Sequence, residues 1–318
     1  MKHKKVDILT QDGNYVSAQA PVIVSASRAT DIPAFYADWF FNRLRCGYVK
    51  WRNPFNGVDS YISFANTRFV VFWSKNPQPL LPYLHELKEL GIGCYIQFTL
   101  NDYDDEGLEP NLPGLDERIE TFKQIVEQLG EGSVVWRFDP LILTDKITID
   151  SLLVKIKNIG DRLHGYTEKL VFSFADIVTY PRVRMNLLRA GVKYKEWNEM
   201  QMNEFAGRLS KMNRERWGFT LATCAESIAL EQYGIEHNRC IDPELIARLA
   251  IDDTELQQFL YHSKKDSGQR KWCGCILSKD IGSYNTCAHG CKYCYANNSQ
   301  QLANQNLMNH ISTSETII

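Results

Sequence analysis

With 318 residues and a hydrophobic fraction of 44%, the chain can bury a sizeable core as one large α/β domain or two small ones. Its 36 basic and 38 acidic residues nearly cancel, to a net charge of −2, so there is no global electrostatic pull toward nucleic acid or acidic lipid. No apolar run approaches the roughly 18 residues of a membrane span, and the start MKHKKVDILTQDG lacks the apolar stretch of a secretory signal, which makes the cytoplasm the expected compartment.

VDILT and YVSA flank Asp12-Gly13, which predicts an opening hairpin over residues 1–20. Nearly continuous apolar runs then predict strands buried on both faces at 22–27, 48–51, 69–74, 95–100, 134–138, 170–174 and 219–223. Amphipathic segments between them predict helices over Pro33 to Arg45, Leu81 to Leu90, Asp116 to Leu129 and Asp150 to Ile159. Asp116 and Asp150 suit N-caps, and Gly47, Gly91, Gly130 and Gly160 suit C′ positions. Too little chain separates the second and third runs for a helix, so SYISFA is expected to add a hairpin strand there.

Alternating strands and helices imply parallel βαβ units. Seven such strands point to an α/β fold of the TIM-like barrel type, with 1–318 as a single domain. Its parts are the hairpin at 1–20, the seven βα-type strands and helices at 21–223, and a cysteine-rich segment at 224–318 that closes the barrel. No G-x-G-x-x-G follows a strand and no G-x4-G-K-[ST] occurs, so dinucleotide and P-loop folds have no support.

In a reducing compartment the nine cysteines read as metal ligands and buried thiols rather than disulfides. Cys46 and Cys94 stand alone beside apolar residues and read as small buried hydrophobes. The line CAHGCKYCYAN places Cys287, Cys291 and Cys294 in a C-x3-C-x2-C array. Three thiolates so spaced can hold three irons of a [4Fe–4S] cluster and leave the fourth iron open. His289 inside the loop keeps a Cys/His zinc site as an alternative, although a histidine there more simply orients the loop.

Cys224, Cys240, Cys273 and Cys275 supply the four thiolates that close either a second [4Fe–4S] cluster or a zinc site. They converge if the strand ends meet at one barrel face; otherwise they are independent thiols. Polar residues gather just past the strands: Arg28, Thr30, Asp31, Asn53, Lys75 and Asn76, then Thr99, Asn101, Arg137, Asp139, Asp176 and Glu226. The C-terminal strand ends form the active-site face of TIM-type barrels. Arg28, Asp31, Lys75, Arg137 and Asp139 are therefore the candidate catalytic and substrate-binding residues, the three cations being suited to carboxylate or phosphate. The alternative is that such pairs only hold the rim. The basic stretch KKDSGQRKW (264–272) leaves nucleic acid open as a partner without indicating it.

The cysteine array, with Tyr293 just before its third cysteine, resembles the signature of the radical S-adenosylmethionine (SAM) enzymes. Over nearly the whole length, SASRATDIP, RNPFN, VVFWSKNP, QFTLNDYD, WRFDPL and QRKWCGCILSKDIGSYNTCAHGCKYCYAN resemble an uncharacterised bacterial and archaeal family, domain of unknown function 1848. The radical SAM resemblance implies SAM on the open iron, Tyr293 at the cofactor, an unknown substrate in the barrel mouth, and a reductant such as flavodoxin or ferredoxin. Those enzymes usually carry the motif after their first barrel strand, whereas here it lies near the end. CILS (275–278), the cysteine loop and the helix-compatible SQQLANQNLMNHI (299–311) repeat the order strand, cluster loop, helix. A permuted radical SAM barrel, with CILS as its closing strand, is the resulting expectation. The rival reading is a non-catalytic zinc or iron–sulfur module that recruits a partner.

Overall fold

The structure, a computed structural model, describes residues 3–54 and 56–318. Met1, Lys2 and Phe55 (the last within RNPFN) lie outside the described residues. In chain order the strands are β1 (Lys4–Leu9), β2 (Tyr15–Ala20), β3 (Ile23–Ala26), β4 (Tyr48–Arg52), β5 (Asp59–Ser63), β6 (Phe69–Ser74) and β7 (Gly93–Thr99). There follow β8 (Val134–Leu141), β9 (Leu143–Thr144), β10 (Lys169–Phe174), β11 (Tyr194–Lys195), β12 (Thr220–Thr223), β13 (Ile235–His237) and β14 (Lys279–Asp280). The helices are α1 (Ile32–Phe35), α2 (Ala37–Cys46), α3 (Leu84–Glu89), α4 (Leu115–Leu129), α5 (Ile149–Leu163), α6 (Pro181–Arg189), α7 (Glu199–Arg216), α8 (Pro243–Leu249), α9 (Thr254–Tyr261) and α10 (Gln300–Met308).

Eight strands form one all-parallel sheet in the order β13-β12-β10-β8-β7-β6-β3-β14. Side chains alternate across it, as the period of two requires. Val70, Phe72, Ile96, Phe98, Trp136 and Phe172 join the core formed with α2, α4, α5 and α7. Phe69, Val71 and Tyr95 join a second core with Ile241, Ile246 and Leu256, contributed by α8, α9 and the chain around them. Both faces are thus covered, which explains the continuous apolar runs. Strands β13 and β14 are the two edges, and no pairing among the described residues joins them, so the α/β class holds while closure into a TIM barrel is not seen. No helix among the described residues is long and apolar enough to cross a membrane.

The hairpin around Asp12-Gly13 forms, but as half of a separate sheet, β1-β2-β5-β4. The run 48–51 belongs there too and is not a strand of the large sheet. Gly47 caps α2 with a left-handed φ of +84°, turning the chain so that Tyr48–Arg52 pairs antiparallel with Asp59–Ser63. SYISFA is accordingly the added hairpin strand, and Asn53 sits in that hairpin rather than at the barrel mouth.

Other boundaries also moved. Tyr36, at φ −138°, breaks the Pro33 to Arg45 segment into α1 and α2 and sends its buried hydroxyl to the Thr286 carbonyl at 2.8 Å. The Leu81 to Leu90 segment begins as a 3-10 turn, Gln78–Tyr83. Gly114 caps α4, leaving Asp116 in its first turn, and Thr148 caps α5 through a capping box with Ser151. Gly160 does not end α5: it lies inside the helix, where an added Cβ would stand 2.5 Å from the Trp217 ring. Cys94 is buried as expected, whereas Cys46, the last residue of α2, is exposed.

CILS makes only an isolated bridge, Ile276 to Lys265. The edge strand is instead Lys279–Asp280, one residue beyond it, parallel to β3. The Asp280 carboxylate fixes that join by accepting from Ser25 Oγ (3.0 Å), Ser27 Oγ (2.8 Å) and the backbone N–H groups of Arg28 and Gly282 (2.9 Å each). Gly282 is required there: a Cβ would stand 1.8 Å from Ser27 Oγ.

Candidate functional site

The Cys287 to Cys294 loop follows β14 and rests on the C-terminal ends of β3, β6 and β7. Gly290, at φ +73°, allows the turn between the first two cysteines. The chain after β7 receives the loop: Asn111 N–H donates to the His289 carbonyl (3.2 Å), Asn111 Nδ2 to that of Ala288 (2.9 Å), and Lys292 N–H to that of Leu108 (2.9 Å). Asn297 Nδ2 donates to the Cys287 carbonyl at 2.7 Å, and Asn186 Nδ2 of α6 to that of Cys294 at 2.9 Å.

Two buried side chains of the loop carry most of its polar anchoring. His289, 2% exposed, has Nε2 2.7 Å from Asp31 Oδ2. Asp31 also accepts from Ala34 N–H (3.0 Å), Ser74 Oγ (2.7 Å) and Lys75 N–H (2.7 Å). It is thus the cap of α1 and the fastening of the loop at once. The Tyr293 hydroxyl meets Glu109, Lys75 Nζ (3.0 Å) and Asn101 Nδ2 (3.0 Å). Lys75 Nζ reaches Glu109 Oε1 at 2.6 Å, and Arg118 Nη1 lies 3.9 Å from Glu109 Oε2. Burial alone would raise the Glu109 carboxyl, but Lys75 and Arg118 hold it below its ordinary value. Burial opposes the Lys75 charge in turn, and Glu109 with Cys291 overcomes it.

The three loop thiols are pushed up by burial. Backbone N–H groups of His289 and Asp31 approach Cys287, and those of Ala296 and Asn297 approach Cys294. Cys291 feels Cys287 and Cys294 only as charges, together with Lys75. His289 Nδ1, Glu109 Oε2 and Arg118 Nη1 are buried without a hydrogen-bond partner.

The other four cysteines meet on the second face of the large sheet. Cys224, just past β12, has its sulfur 3.6 Å from that of Cys240. The Cys275 thiol interacts with both Cys240 and Cys273. Arg137 Nη1 (3.2 Å) and Asn238 Nδ2 (3.3 Å) donate to Cys240 Sγ, and Ile241 N–H to Cys275 Sγ (3.3 Å). Hydrogen bonds from Cys224 and Cys275 hold the Cys240 thiol well below its ordinary value, and Arg137 and Arg28 add to the effect. The bond from Cys275 pulls Cys273 down to about 6. Arg28 packs over the Trp73 ring at 5.0 Å. Among the described residues no three or more His, Cys, Asp or Glu side chains stand around a common point as a ready-made ion site, in either set.

The residues singled out in the sequence therefore fall into two groups. Asp31, Lys75 and Tyr293 serve the Cys287–Cys291–Cys294 loop, while Arg28, Arg137 and Asp139 serve the four-cysteine set. Asp139 accepts from Arg137 and Ser173. Asn101 joins the groups: its Nδ2 contacts Tyr293 and the Asp139 carbonyl (3.3 Å), and its Oδ1 accepts from Asp139 N–H (2.9 Å). Glu226, two residues past Cys224, accepts from Phe174 N–H at 2.9 Å and interacts with Asp139, and Asp176 accepts from Thr179 N–H at 3.2 Å. The basic stretch 264–272 is largely exposed, with Arg270 Nη1 on Tyr180 Oη at 2.7 Å. A groove of about 480 Å³ lined by Val134, Lys169, Thr220 and Arg239 opens at the opposite strand ends and takes no part in the site.

A family model described as domain of unknown function (DUF1848) matches residues 23–296, most of the chain. The chain belongs to that family. The DUF1848 match takes in both cysteine sets and every strand of the large sheet, and leaves β1, β2 and α10 outside. No curated protein and no solved structure matches the chain.

Glu109, Arg118, Asn238 and Asp280 were not foreseen as site residues. Glu109 lies ten residues beyond β7 in an irregular segment, where no periodicity marks a side chain as inward-facing. Asp280 lies two residues past CILS, and a two-residue strand has no pattern of its own to be recognised.

Proposed function

We propose that the protein is a radical-SAM-like enzyme whose Cys287, Cys291 and Cys294 hold three irons of a [4Fe–4S] cluster. The observation that carries this reading is the loop itself. Three partly buried thiols come from one loop over the C-terminal ends of a parallel sheet, and two of them, Cys287 and Cys294, are approached by backbone N–H groups. Thiolate ligands of iron–sulfur clusters take such N–H···S bonds, and these tune the potential. With SAM on its open iron, the cluster would supply reductive cleavage to a 5′-deoxyadenosyl radical, which takes a hydrogen atom from the substrate. The short edge strand, cysteine loop and α10, with β3 beside β14, fit a permuted radical SAM order.

The chain's own residues have separable tasks in this reading. Asp31 and His289 hold the loop down on β3, while Gly282 and Asp280 keep the strand before it in register. Tyr293 fixes the loop through Glu109 and Lys75 and, standing next to Cys294, presents its ring at the cofactor. Lys75 also offsets thiolate charge near Cys291. The substrate meets the C-terminal strand ends, where Asp139 and Asn101 lie between the two cysteine sets. A flavodoxin or ferredoxin is the proposed electron donor.

A non-catalytic metal module is the second reading. It is favoured by the hydrogen bonds that Lys75, Glu109, Tyr293 and Asn101 make to one another, as groups with an architectural task do. Anaerobic reconstitution followed by incubation with SAM and dithionite separates the two. Reductant-dependent 5′-deoxyadenosine from the wild type and none from Cys291→Ala supports the enzyme. Full iron loading with no nucleoside product rejects it.

A further inference from the structure

We infer that Cys224, Cys240, Cys273 and Cys275 form a structural zinc site, a tetrahedral four-thiolate centre that fastens the chain between β12 and β14 onto the second face of the large sheet. This assignment stands apart from the cluster reading of the other three cysteines.

Geometry selects the metal. Zinc–sulfur bonds of about 2.3 Å place the corners of a tetrahedral four-sulfur site about 3.8 Å apart. The Cys224 and Cys240 sulfurs are 3.6 Å apart, and Cys275, whose sulfur accepts from Ile241 N–H at 3.3 Å, interacts with both Cys240 and Cys273. A cubane cluster stands between its thiolates, each on a different iron, so the 3.6 Å approach of Cys224 and Cys240 suits a single ion better. Among the described residues no three of these side chains already surround a common point, and turning the partly exposed Cys273 side chain would bring the four around one ion.

The surroundings also suit a thiolate–zinc centre. Zn²⁺ with four thiolates carries a net charge of −2, and the guanidinium groups of Arg28 and Arg137 both lie against the set. Arg28 Nη2 is buried without a partner. Asn238, 3% exposed, donates to Cys240 and leaves its own Oδ1 unpartnered beside it. Such donors to sulfur are the outer contacts that orient thiolate ligands. Binding Zn²⁺ displaces the remaining thiol protons to solvent, so affinity falls at low pH.

The four residues also tie together what would otherwise be loosely joined. Cys224 ends β12, Cys240 precedes α8, and Cys273 and Cys275 precede β14. Tyr95 Oη (2.6 Å) and Gln97 Nε2 (3.1 Å) both donate to the Cys240 carbonyl, fixing that point on β7. One ion thus pins the lid formed by α8 and α9 and sets the start of the segment that carries the other three cysteines.

The test is metal analysis and zinc K-edge absorption on full-length wild type purified anaerobically from medium containing iron and zinc. The expected result is about one tightly held zinc per chain with about four sulfur neighbours near 2.3 Å. The Cys224→Ser/Cys273→Ser variant should lose the zinc and keep its iron, and the Cys287→Ala/Cys291→Ala/Cys294→Ala variant the reverse. If the double variant fails to fold, the wild-type absorption spectrum still decides. About eight irons per chain with no zinc, nitrogen or oxygen in the zinc shell, or four freely alkylated thiols in folded wild type would each overturn the assignment.

Discussion

The two cysteine sets are built in opposite ways. Cys287, Cys291 and Cys294 come from eight consecutive residues and are held mainly by backbone contacts and by buried His289 and Tyr293. Cys224, Cys240, Cys273 and Cys275 come from segments spread over about fifty residues, bring the first two sulfurs to 3.6 Å, and face two arginines. Short spacing on a loop lets the metal set the geometry. Distant thiols brought together by a sheet have their geometry set by the fold. In the proposed assignments, the distance already present between sulfurs, and not ligand count alone, separates the two metals.

The sharpest way to break this comparison is Cys291→Ala. Iron content should fall nearly to zero while zinc is unchanged, and equal loss of both metals would show that the sets are one unit. Next in size is Glu109→Gln. Removing one partner from a buried pair destabilises by about 3–5 kcal/mol, here by leaving Lys75 and Arg118 without their shared carboxylate. Denaturant unfolding should show that loss, and iron retention should fall with it. Lys75→Met/Glu109→Leu should recover part of the stability, because Lys75 is then no longer buried alone and Arg118 keeps Asp104 at 3.3 Å.

Asp280→Ala comes third. It strands four donors, and unsatisfied buried groups are worth about 1–3 kcal/mol each, although Gly282 and Arg28 can turn partly to water. A net loss of about 2–4 kcal/mol on this basis should appear in the melting temperature. Iron retention should suffer more than zinc, because β14 leads directly into the iron loop.

The smallest expected effect is a pH dependence at Glu226. Burial raises that carboxyl from 4.5 to about 7. The folded protein then keeps a proton that the unfolded chain releases, so stability falls as pH rises from about 4.5 through about 7. Glu226→Gln should flatten that fall in melting temperature between pH 5 and about 8 while leaving both metal contents unchanged. An unaltered pH profile would remove Glu226 as its source.

What could be read beforehand follows from which signals are local. Strands β6, β7, β8, β10 and β12 announced themselves as apolar runs because each is buried on both faces. The C-x3-C-x2-C loop was legible because its ligands are neighbours in sequence. YVKW carried the same apolar signal as those strands yet belongs to the small sheet, since pairing is decided by the turn at Gly47 and not by composition. Gly160 looked like a helix end because its reason for being glycine, the Trp217 ring, is 57 residues away. The splitting of the polar residues into two groups was hidden for the same cause. Arg28 and Asp31 are three residues apart but face different cysteine sets.

The central claim is that the Cys287–Cys291–Cys294 loop holds a cluster with an iron open to SAM. Electron paramagnetic resonance of the reduced, reconstituted protein, recorded with and without SAM, tests it most directly. The account predicts a [4Fe–4S]⁺ signal that shifts when SAM is added and is absent from Cys291→Ala. A signal unchanged by saturating SAM, at full iron content, would contradict it.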